Sequence, residues 1–494
     1  MKLLPRICFR RASTCVLAIF LAKSALATPP TVTVPAEIEF PQSGQTKTNG
    51  AAVPPGFLAG IKRSSYLLGD MWGLRTLLSK YGMSLAISET SEVLGNVSGG
   101  VKQGADYDGL TQMILQLDTQ RAFHWYGGIF NVSALQIHGN DLSARNLDTL
   151  QTASGIEADR TTRLWELWYQ QKLLAEDRLD VKLGQQSLDQ EFMVSQNAGL
   201  FVNTMFGWPM LPSADLPGGG PAYPLSALGV RARARPIDPV TVLVGVFNGG
   251  PVANNTGDPQ QRDPSGTSFP LNGGVLAIAE LQYSYPALGS MVYAADSEPL
   301  SRVYRLGFWY DTERFADQEF DNTGLSLANP DTTGMPRTHH GDYAVYAVMD
   351  QMIWRDPEDE DGDRVINLFG RAMGTPEEDR NEINFSLNAG LTFHEPIPHR
   401  GDDTCGVGMG YANVGDHAAG LDRDIDFYTG SFHPVRSGET FLEATYQYQA
   451  TPWWQIQPDF QYVFNPGAGV ANPNSPGQRV KDEAVIGVRT NILF

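Results

Sequence analysis

Three arginines spaced two residues apart form the pattern in this chain that most directly suggests ligand binding. Arg231, Arg233 and Arg235 alternate with Ala232 and Ala234. Because alternate residues of an extended strand point to the same side, the spacing predicts a row of guanidinium groups on one face of a strand. A guanidinium can donate paired hydrogen bonds to two neighbouring oxygens, whether of a carboxylate or of adjacent hydroxyls.

Carboxylates and indoles follow the same alternation elsewhere. If Trp165, Leu167 and Tyr169 occupy an apolar face, Glu166 and Trp168 share the polar one. Read in this way, the candidate ligand-binding residues are Glu166, Trp168, Arg231, Arg233, Arg305, Trp309 and Glu443. This mixture suits a sugar, because hydroxyls take both donors and acceptors and a ring C–H face packs on an indole. Two alternatives remain open: ion pairs that only brace a wall, and a path for anions.

The long connection 187–224 is unusually aromatic for a surface loop. The residues in it that could narrow a ligand path are Asp189, Glu191, Phe192, Asn203 and Trp208. Aromatic side chains gain most from burial. The segment is therefore expected either to pack into the mouth of the fold or to cover its rim as a lid.

The elements that must position these residues are strands, joined alternately by short and long connections. Ile237-Asp238 is one of the short connections, and 187–224 is one of the long ones. Membrane β-barrels have short periplasmic turns and long outer loops, so an all-β, 16-stranded antiparallel transmembrane β-barrel is predicted. Its strands are expected at 82–95, 109–119, 126–138, 163–174, 179–186, 225–236, 239–248, 272–285, 300–313, 341–354, 363–374, 381–393, 404–413, 438–450, 453–464 and 481–494.

The last strand carries the clearest membrane pattern. Ile492, Thr490 and Val488 share a mainly apolar face with the terminal Phe494, whereas Arg489 lies on the opposite face. A strand that is apolar outward, polar inward and aromatic at its end suits a wall between lipid and water. After the N-terminal segment there is no apolar run of 18 residues, so no membrane helix is predicted.

The N-terminus predicts export. Residues 1–27 combine a basic start, a short apolar run and a small-x-small site ending at Ala27, which is typical of a cleaved signal peptide. We expect a flexible lead-in at 28–60, a short periplasmic helical segment at 61–81 and the barrel at 82–494. The expected location is the outer membrane of a Gram-negative bacterium.

Charge and cysteine content narrow the function further. Removal of 1–27 leaves a net charge of about −24 and a single cysteine, Cys405, so neither nucleic-acid binding nor an internal disulfide is expected. The eight histidines show no pairing with a serine motif and no metal-ligand spacing, so neither enzymatic activity, nor a cofactor, nor a metal site is predicted. The acidic stretch 356–363 faintly resembles a calcium loop but reads better as a solvated turn.

Several motifs resemble those of the carbohydrate-selective porin (OprB) family. The N-terminal segment has Trp72-Gly73-Leu74-Arg75, one glycine short of the family's usual Trp-Gly-Gly-Leu-Arg. A hairpin motif is found in Trp168, Gln171 and Val181-x-Leu183-Gly184-Gln185. The C-terminal block is the most specific match and contains Glu443-x-x-Tyr446, Thr451-Pro452-Trp453-Trp454, Gln457-Pro458-Asp459-x-Gln461-Tyr462, Asn465-Pro466-Gly467 and Gly487-x-Arg489.

The resemblance spans roughly residues 64 to 494. It implies an outer-membrane channel that passes small sugars such as glucose by facilitated diffusion, with membrane lipid around it. A non-selective or anion-preferring porin is the alternative. One departure lies at Pro398-His399-Arg400, where the family has Pro-Gly-Arg. Neither the preferred sugar nor the choice between monomer and homotrimer follows from it.

Overall fold

Sixteen strands close into one antiparallel barrel in the computed structural model, which describes residues 64–252, 257–286, 300–358 and 364–494. Each barrel strand pairs with the next one along the chain, and the last pairs with the first. The predicted fold class and strand number are confirmed. The barrel strands are β1 Met83–Ser98, β2 Gly104–Asp118, β3 Gly128–Gly139, β4 Thr161–Leu173, β5 Leu179–Gln186, β6 Ala227–Ile237, β7 Val240–Asn248, β8 Val275–Tyr285, β9 Arg302–Asp321, β10 Pro336–Arg355, β11 Val365–Gly374, β12 Ile383–His394, β13 Thr404–Val414, β14 Gly438–Thr451, β15 Trp454–Phe464 and β18 Glu483–Leu493.

Smaller elements lie between these strands. A two-stranded hairpin, β16 Ala471–Asn472 with β17 Ser475–Arg479, stands in the last long loop. The α-helices are α1 Leu74–Lys80, α2 Thr119–Phe123, α3 Thr204–Gly207, α4 Met210–Asp215, α5 Pro259–Arg262 and α6 Asp416–Thr429. Among the helices within the described ranges, none has the length and apolar character needed to cross a bilayer. The predicted signal peptide, the lead-in and part of the acidic turn 356–363 fall outside those ranges.

The two faces of the wall follow the alternation along the strands. On β9 the outward Tyr304, Leu306, Phe308 and Tyr310 are 38, 62, 51 and 43% exposed. The residues between them, Arg305, Trp309 and Asp311, are buried on the inside. An apolar, aromatic outer face and a polar inner face are what a strand between lipid and a water-filled lumen requires.

One predicted orientation is wrong. Trp165 was expected on the lipid face, yet it is only 4% exposed and packs with Leu135 and Ile137. The cause is a bulge in the pairing of β3 with β4, where the partners step from Ser133–Glu166 to Ala134–Leu164. An extra residue in one strand reverses the alternation beyond it.

The N-terminal segment fastens the seam where the barrel closes. The Arg75 guanidinium donates to the carbonyl of Leu85 on β1 (2.5 Å) and to that of Phe494, next to β18. The N–H of Leu67 donates to the carbonyl of Leu493 (2.8 Å). The Trp72-Gly73-Leu74-Arg75 motif therefore brings a cation to the meeting point of the first and last strands.

Loss of this cation should weaken the barrel. We expect Arg75→Ala to lower the free energy of unfolding by about 1.5–3 kcal/mol, because two backbone acceptors lose a charged donor. Urea unfolding followed by tryptophan fluorescence in detergent would measure the change. Lys80→Ala, which removes an exposed cation from the same helix, is the control, and equal midpoints for the two variants would contradict the role of Arg75.

Candidate functional site

The long connection between β5 and β6, here called the inner loop (residues 187–226), lies inside the barrel. Three carboxylates on the wall accept hydrogen bonds from its backbone N–H groups: Glu280 from Met193 (2.9 Å), Asp350 from Asn197 (3.3 Å) and Glu443 from Val202 (2.6 Å). These carboxylates come from β8, β10 and β14, so the loop crosses the lumen. Backbone groups removed from water need such partners.

Wall donors satisfy the loop's carbonyl groups. Arg371 on β11 donates to the carbonyls of Met193 (2.8 Å), Gly207 (3.0 Å) and Met205, and its side chain is nearly fully buried. Gln457 donates to the carbonyl of Leu200 (2.7 Å). The wall therefore holds the loop through acceptors and donors on several strands.

Aromatic packing complements these hydrogen bonds. Phe201 and Phe206 of the inner loop stack at 4.4 Å between ring centroids, and both contact Phe369 of β11. They lie against inward positions of β13 that are glycines: a Cβ at Gly406 would stand 2.8 Å from Phe201, and one at Gly408 2.6 Å from Phe206. Absence of side chains on that stretch of wall makes room for the loop.

A second loop, here called the second inner segment (residues 140–160), also enters the lumen, and the sequence analysis did not predict its position. The segment 140–160 lies against β14 and β15, where Glu439 accepts from the N–H groups of Leu150 (2.9 Å) and Gln151 (2.8 Å). Gln461 donates to the carbonyl of Ala153 (2.8 Å). The segment has few aromatic residues, so composition alone gave no signal for its inward position.

Charged residues of β5, β6 and the start of the inner loop form a compact group, here called the charge cluster (Asp180, Lys182, Glu191, Arg231 and Arg233). Arg231 bonds to Asp180 and contacts Glu191, with its Nε 2.5 Å from Oε2. Lys182 bonds to Glu191. Arg233 donates to Asp180 (2.7 Å) and keeps 38% of its side chain exposed, whereas Arg231 keeps 2%.

Burial and nearby charges shift the pKa values of two inner-loop carboxyls, Glu191 and Asp189, in opposite directions. Burial raises the pKa of Glu191, but the charges of Arg231, Lys182 and Arg233 outweigh it and hold the pKa far below its ordinary value. A carboxyl whose folded pKa is depressed contributes stability above its unfolded pKa and loses it as the pH falls through the folded one. The contribution of Glu191 therefore persists to strongly acidic pH. Burial instead raises the pKa of Asp189.

The other candidate residues are placed as follows. Glu166 accepts from the N–H of Ser187 (3.1 Å) at the start of the inner loop. Trp168 is half-buried, with the Lys182 ammonium 4.4 Å from its ring centroid. Arg305 pairs with Asp350 (2.8 Å), and Trp309 is buried. Glu443 lies on the far side of the lumen.

Most of the inner-loop candidates are buried inside the barrel. Phe192 is 2% exposed, and the Trp208 indole donates to the carbonyl of Gly219 (2.9 Å). Asn203 donates to Gln461 (3.0 Å). Asp189 remains partly exposed and lines a cleft of about 160 Å³ together with Gln190, Val194, Ser195, Gln196, Gly199, Phe206 and Gly207.

Two members of the charge cluster could have been found from the sequence. Asp180 and Lys182 stand two apart on β5, as the arginines do on β6, and pair with Arg233 and Arg231 in register. Reading β5 at period two would have predicted both on the lumen face. Gln190 and Gln196 carried no such signal, because they lie in or beside short 3₁₀ turns of the inner loop, where the alternation of a strand does not apply.

The C-terminal motif residues hold the inner segments. Glu443, Gln457 and Gln461 do so as described above, and Arg489 donates to Glu92 (2.8 Å) and to Ser154 of the second inner segment (3.2 Å).

The Pro398-His399-Arg400 departure leaves its turn intact. Arg400 still pairs with Asp403, and His399 takes the positive φ of 68° that glycine adopts most easily.

Within the described ranges, no group of three or more His, Cys, Asp or Glu residues is placed to hold a metal ion.

Comparison with known proteins gives a consistent set of relatives. Residues 102–494 match the model of the "Carbohydrate-selective porin, OprB family". The chain is 24% identical to Porin B of Pseudomonas aeruginosa over 87% of this chain and 92% of that protein. It is 22% identical to the putative porin QuiX of Acinetobacter baylyi over 87% and 93%. Its fold is similar to a structure of Pseudomonas putida OprB at high pH, with a TM-score of 0.75, 21% identity and coverage of 88% and 99%.

Crowding the glycine row should displace the inner loop. We expect Gly408→Val to destabilise the barrel by about 1–3 kcal/mol, because the new side chain meets Phe206 in a packed interior, and to raise single-channel conductance. Gly370→Val is the matched control, since a Cβ there would have only Met349 within 4 Å, at 3.8 Å. Unchanged conductance and stability in Gly408→Val would show that the loop is not held there.

Neutralising the loop carboxylate should alter ion selectivity. In Glu191→Gln, Lys182 and Arg231 lose a counter-charge, so the anion-to-cation permeability ratio should rise by about fivefold, equivalent to about 1 kcal/mol at the passage. Reversal potentials across a salt gradient would measure it. Asp238→Asn removes one charge from an exposed turn and should leave the ratio unchanged, and an equal shift in both variants would contradict the prediction.

Proposed function

The chain belongs to the carbohydrate-selective porin (OprB) family, and from this membership we propose how its lumen recognises sugars. The family and the sixteen-stranded barrel make the protein a sugar channel of the Gram-negative outer membrane. The proposal concerns the residues that touch the passing sugar. It rests on one observation: beside the inner loop, an indole, a cation and a carboxylate stay partly accessible while most other lumen residues are buried.

We propose that the sugar passes over Trp168, Arg233 and Asp189. The Trp168 ring offers a flat face, and Arg233 donates one hydrogen bond to Asp180 while 38% of its side chain stays exposed. Asp189 borders the 160 Å³ cleft, where Gln190 adds both a donor and an acceptor. Such a surface meets hydroxyls with hydrogen bonds and the ring C–H face with an apolar plane.

The remaining candidates act, in this proposal, by positioning. Arg231 and Glu166 fix the start of the inner loop, and Glu443 fixes its middle. Arg305 supports Asp350, which in turn holds the loop backbone. These side chains determine the width of the passage because their hydrogen bonds determine where the loop lies.

Fast passage limits the strength of each contact. A channel that holds its sugar with millimolar affinity gains only about −4 kcal/mol from binding. That total allows a few weak contacts and disfavours a deep, fully enclosed site. A passage lined by partly exposed residues on one side is consistent with this limit.

Three further statements complete the proposal. The channel carries out no chemical turnover and uses no cofactor. Residues 1–27 direct export and are removed near Ala27. The working form is either a monomer or a homotrimer, the trimer being the arrangement usual for sixteen-stranded porins.

The proposed contacts predict loss of sugar affinity. We expect Trp168→Ala and Arg233→Ala each to weaken sugar block of the ion current several-fold, equivalent to about 1 kcal/mol. Conductance should stay equal or rise. Arg235→Ala, the neighbouring rung of the arginine row at the periplasmic end, is the control.

A liposome-swelling series would test selectivity in parallel. Glucose should enter faster than a disaccharide and faster than a neutral amino acid of similar size. Equal entry of glucose and the amino acid would favour a non-selective porin. Wild-type sugar block in both Trp168→Ala and Arg233→Ala would place the contact elsewhere.

A further inference from the structure

The two chain segments inside the barrel contact each other as well as the wall. The N–H of Gly155 in the second inner segment donates to the carbonyl of Val202 in the inner loop (2.9 Å), and the N–H of Thr204 donates to the carbonyl of Thr152 (3.1 Å). The Thr204 hydroxyl also donates to the carbonyl of Ser154 (2.5 Å). The two segments therefore run antiparallel here and pair much as short strands do. We call this paired region the lumen joint (residues 152–155 and 202–204).

Arg489 of β18 bridges the two halves of the lumen joint from the wall. Its guanidinium donates to the Ser154 hydroxyl (3.2 Å) and to the carbonyl of Val202 (3.4 Å). Its Nε donates to Glu92 of β1 (2.8 Å), the direct neighbour of Arg489 in the pairing of β18 with β1. One side chain thereby ties both inner segments to the two strands that close the barrel.

Gln461 of β15 makes a second bridge. Its side chain donates to the carbonyl of Ala153 (2.8 Å) and accepts from the Asn203 side chain (3.0 Å), which an amide can do because it carries both a donor and an acceptor. Apolar packing reinforces both bridges. One buried cluster draws its members from the two inner segments and from the two closing strands: Leu94, Leu142, Leu147, Ala153, Val202 and Val485.

The lumen joint is buried on the side of the barrel opposite the charge cluster. It lies against β14, β15, β18 and β1, half the ring of strands away from β5 and β6. Ser154 and Gln461 are 0% exposed, and Val202 and Asn203 are 1% exposed. Packing of this density leaves no room for water or for a sugar between the inner segments and this part of the wall.

We propose that Arg489 and Gln461 are positioning residues that close this side of the lumen by fastening the two inner segments to each other and to the wall. The passage is thereby confined to the side of Trp168 and Arg233. In its effect on selectivity this inference rests on the proposed sugar path, because only a closed far side makes every solute pass the same contacts. Arg489 and Gln461 themselves do not touch the sugar.

A loosened lumen joint should behave as a leak parallel to the sugar path. Ions would then pass by two routes, whereas glucose would obstruct only the route lined by Trp168. The expected signature is a residual current at saturating glucose, with the half-blocking glucose concentration unchanged. Damage to the sugar contacts would instead shift the half-blocking concentration.

Planar-bilayer recordings of Arg489→Lys combined with Gln461→Ala test the proposal. The lysine keeps a positive charge beside Glu92, but an ammonium on a flexible stem does not replace the fixed, spread donors of a guanidinium. Conductance should rise, and block by glucose should level off below that of the wild type. The half-blocking concentration should stay within about twofold of the wild type, because distant sites without shared partners act independently.

Asn491→Ala combined with Gln455→Ala is the matched control. It changes the same two strands, and these side chains bond to the wall residues Thr90 and Gln449. Heat-shifted gel mobility would confirm that each barrel is folded, and Arg489→Lys alone carries the same test where the double variant does not fold. Wild-type conductance and block in the folded variant, or an equal change in the control, would overturn the proposal.

A disulfide across the lumen joint tests it in the opposite direction. A Cβ at Gly155 would stand 3.8 Å from the Cα of Thr204, a separation that two bridged cysteines can span. Gly155→Cys with Thr204→Cys, in a Cys405→Ser chain, should restore full block to the loosened variant when oxidised and lose it on reduction. Block that ignores the state of the disulfide would contradict the proposal. If glucose fails to block even the wild type, the sugar path is wrong, while the conductance change and its reversal by the disulfide still decide the lumen joint.

Discussion

The arrangement of the lumen depends on hydrogen bonds between wall side chains and the backbone of the inner loop. A chain segment that leaves the strand ladder and enters a barrel takes its N–H and C=O groups away from water. Unpaired, each buried group would cost roughly 1–3 kcal/mol. Here Glu280, Asp350 and Glu443 accept from the loop, while Arg371 and Gln457 donate to it. Many polar residues on the wall therefore hydrogen-bond to the inner loop, and only the remaining ones can contact a sugar.

This division of labour explains why so few charged residues remain accessible. Buried charges need partners, and the charge cluster supplies them in a chain of alternating sign from Lys182 through Glu191 and Arg231 to Asp180. Arg233 stands at the end of this series of ion pairs and keeps 38% of its side chain exposed. The row of arginines that suggested an anion path is thus largely neutralised, which suits passage of an uncharged solute.

Packing of the inner loop required changes on the wall itself. The glycines of β13 clear a strip for Phe201 and Phe206, and Gly109 does the same on the outer surface for His138 and Tyr107. In both places a strand loses side-chain contacts so that another segment can approach. Such positions are where the barrel departs from a uniform wall.

The sequence by itself determined the strands, their number and, with few exceptions, the face on which each residue lies, because alternation is a local property of extended backbone. It did not determine which lumen residues pair, since Arg305 meets Asp350 and Glu443 meets Val202 only through register and through a loop that crosses the barrel. It also missed the second inner segment and the inward turn of Trp165, which follows from one bulge between β3 and β4. Local pattern fixes direction, whereas partners and accessibility are decided by the closed ring of strands.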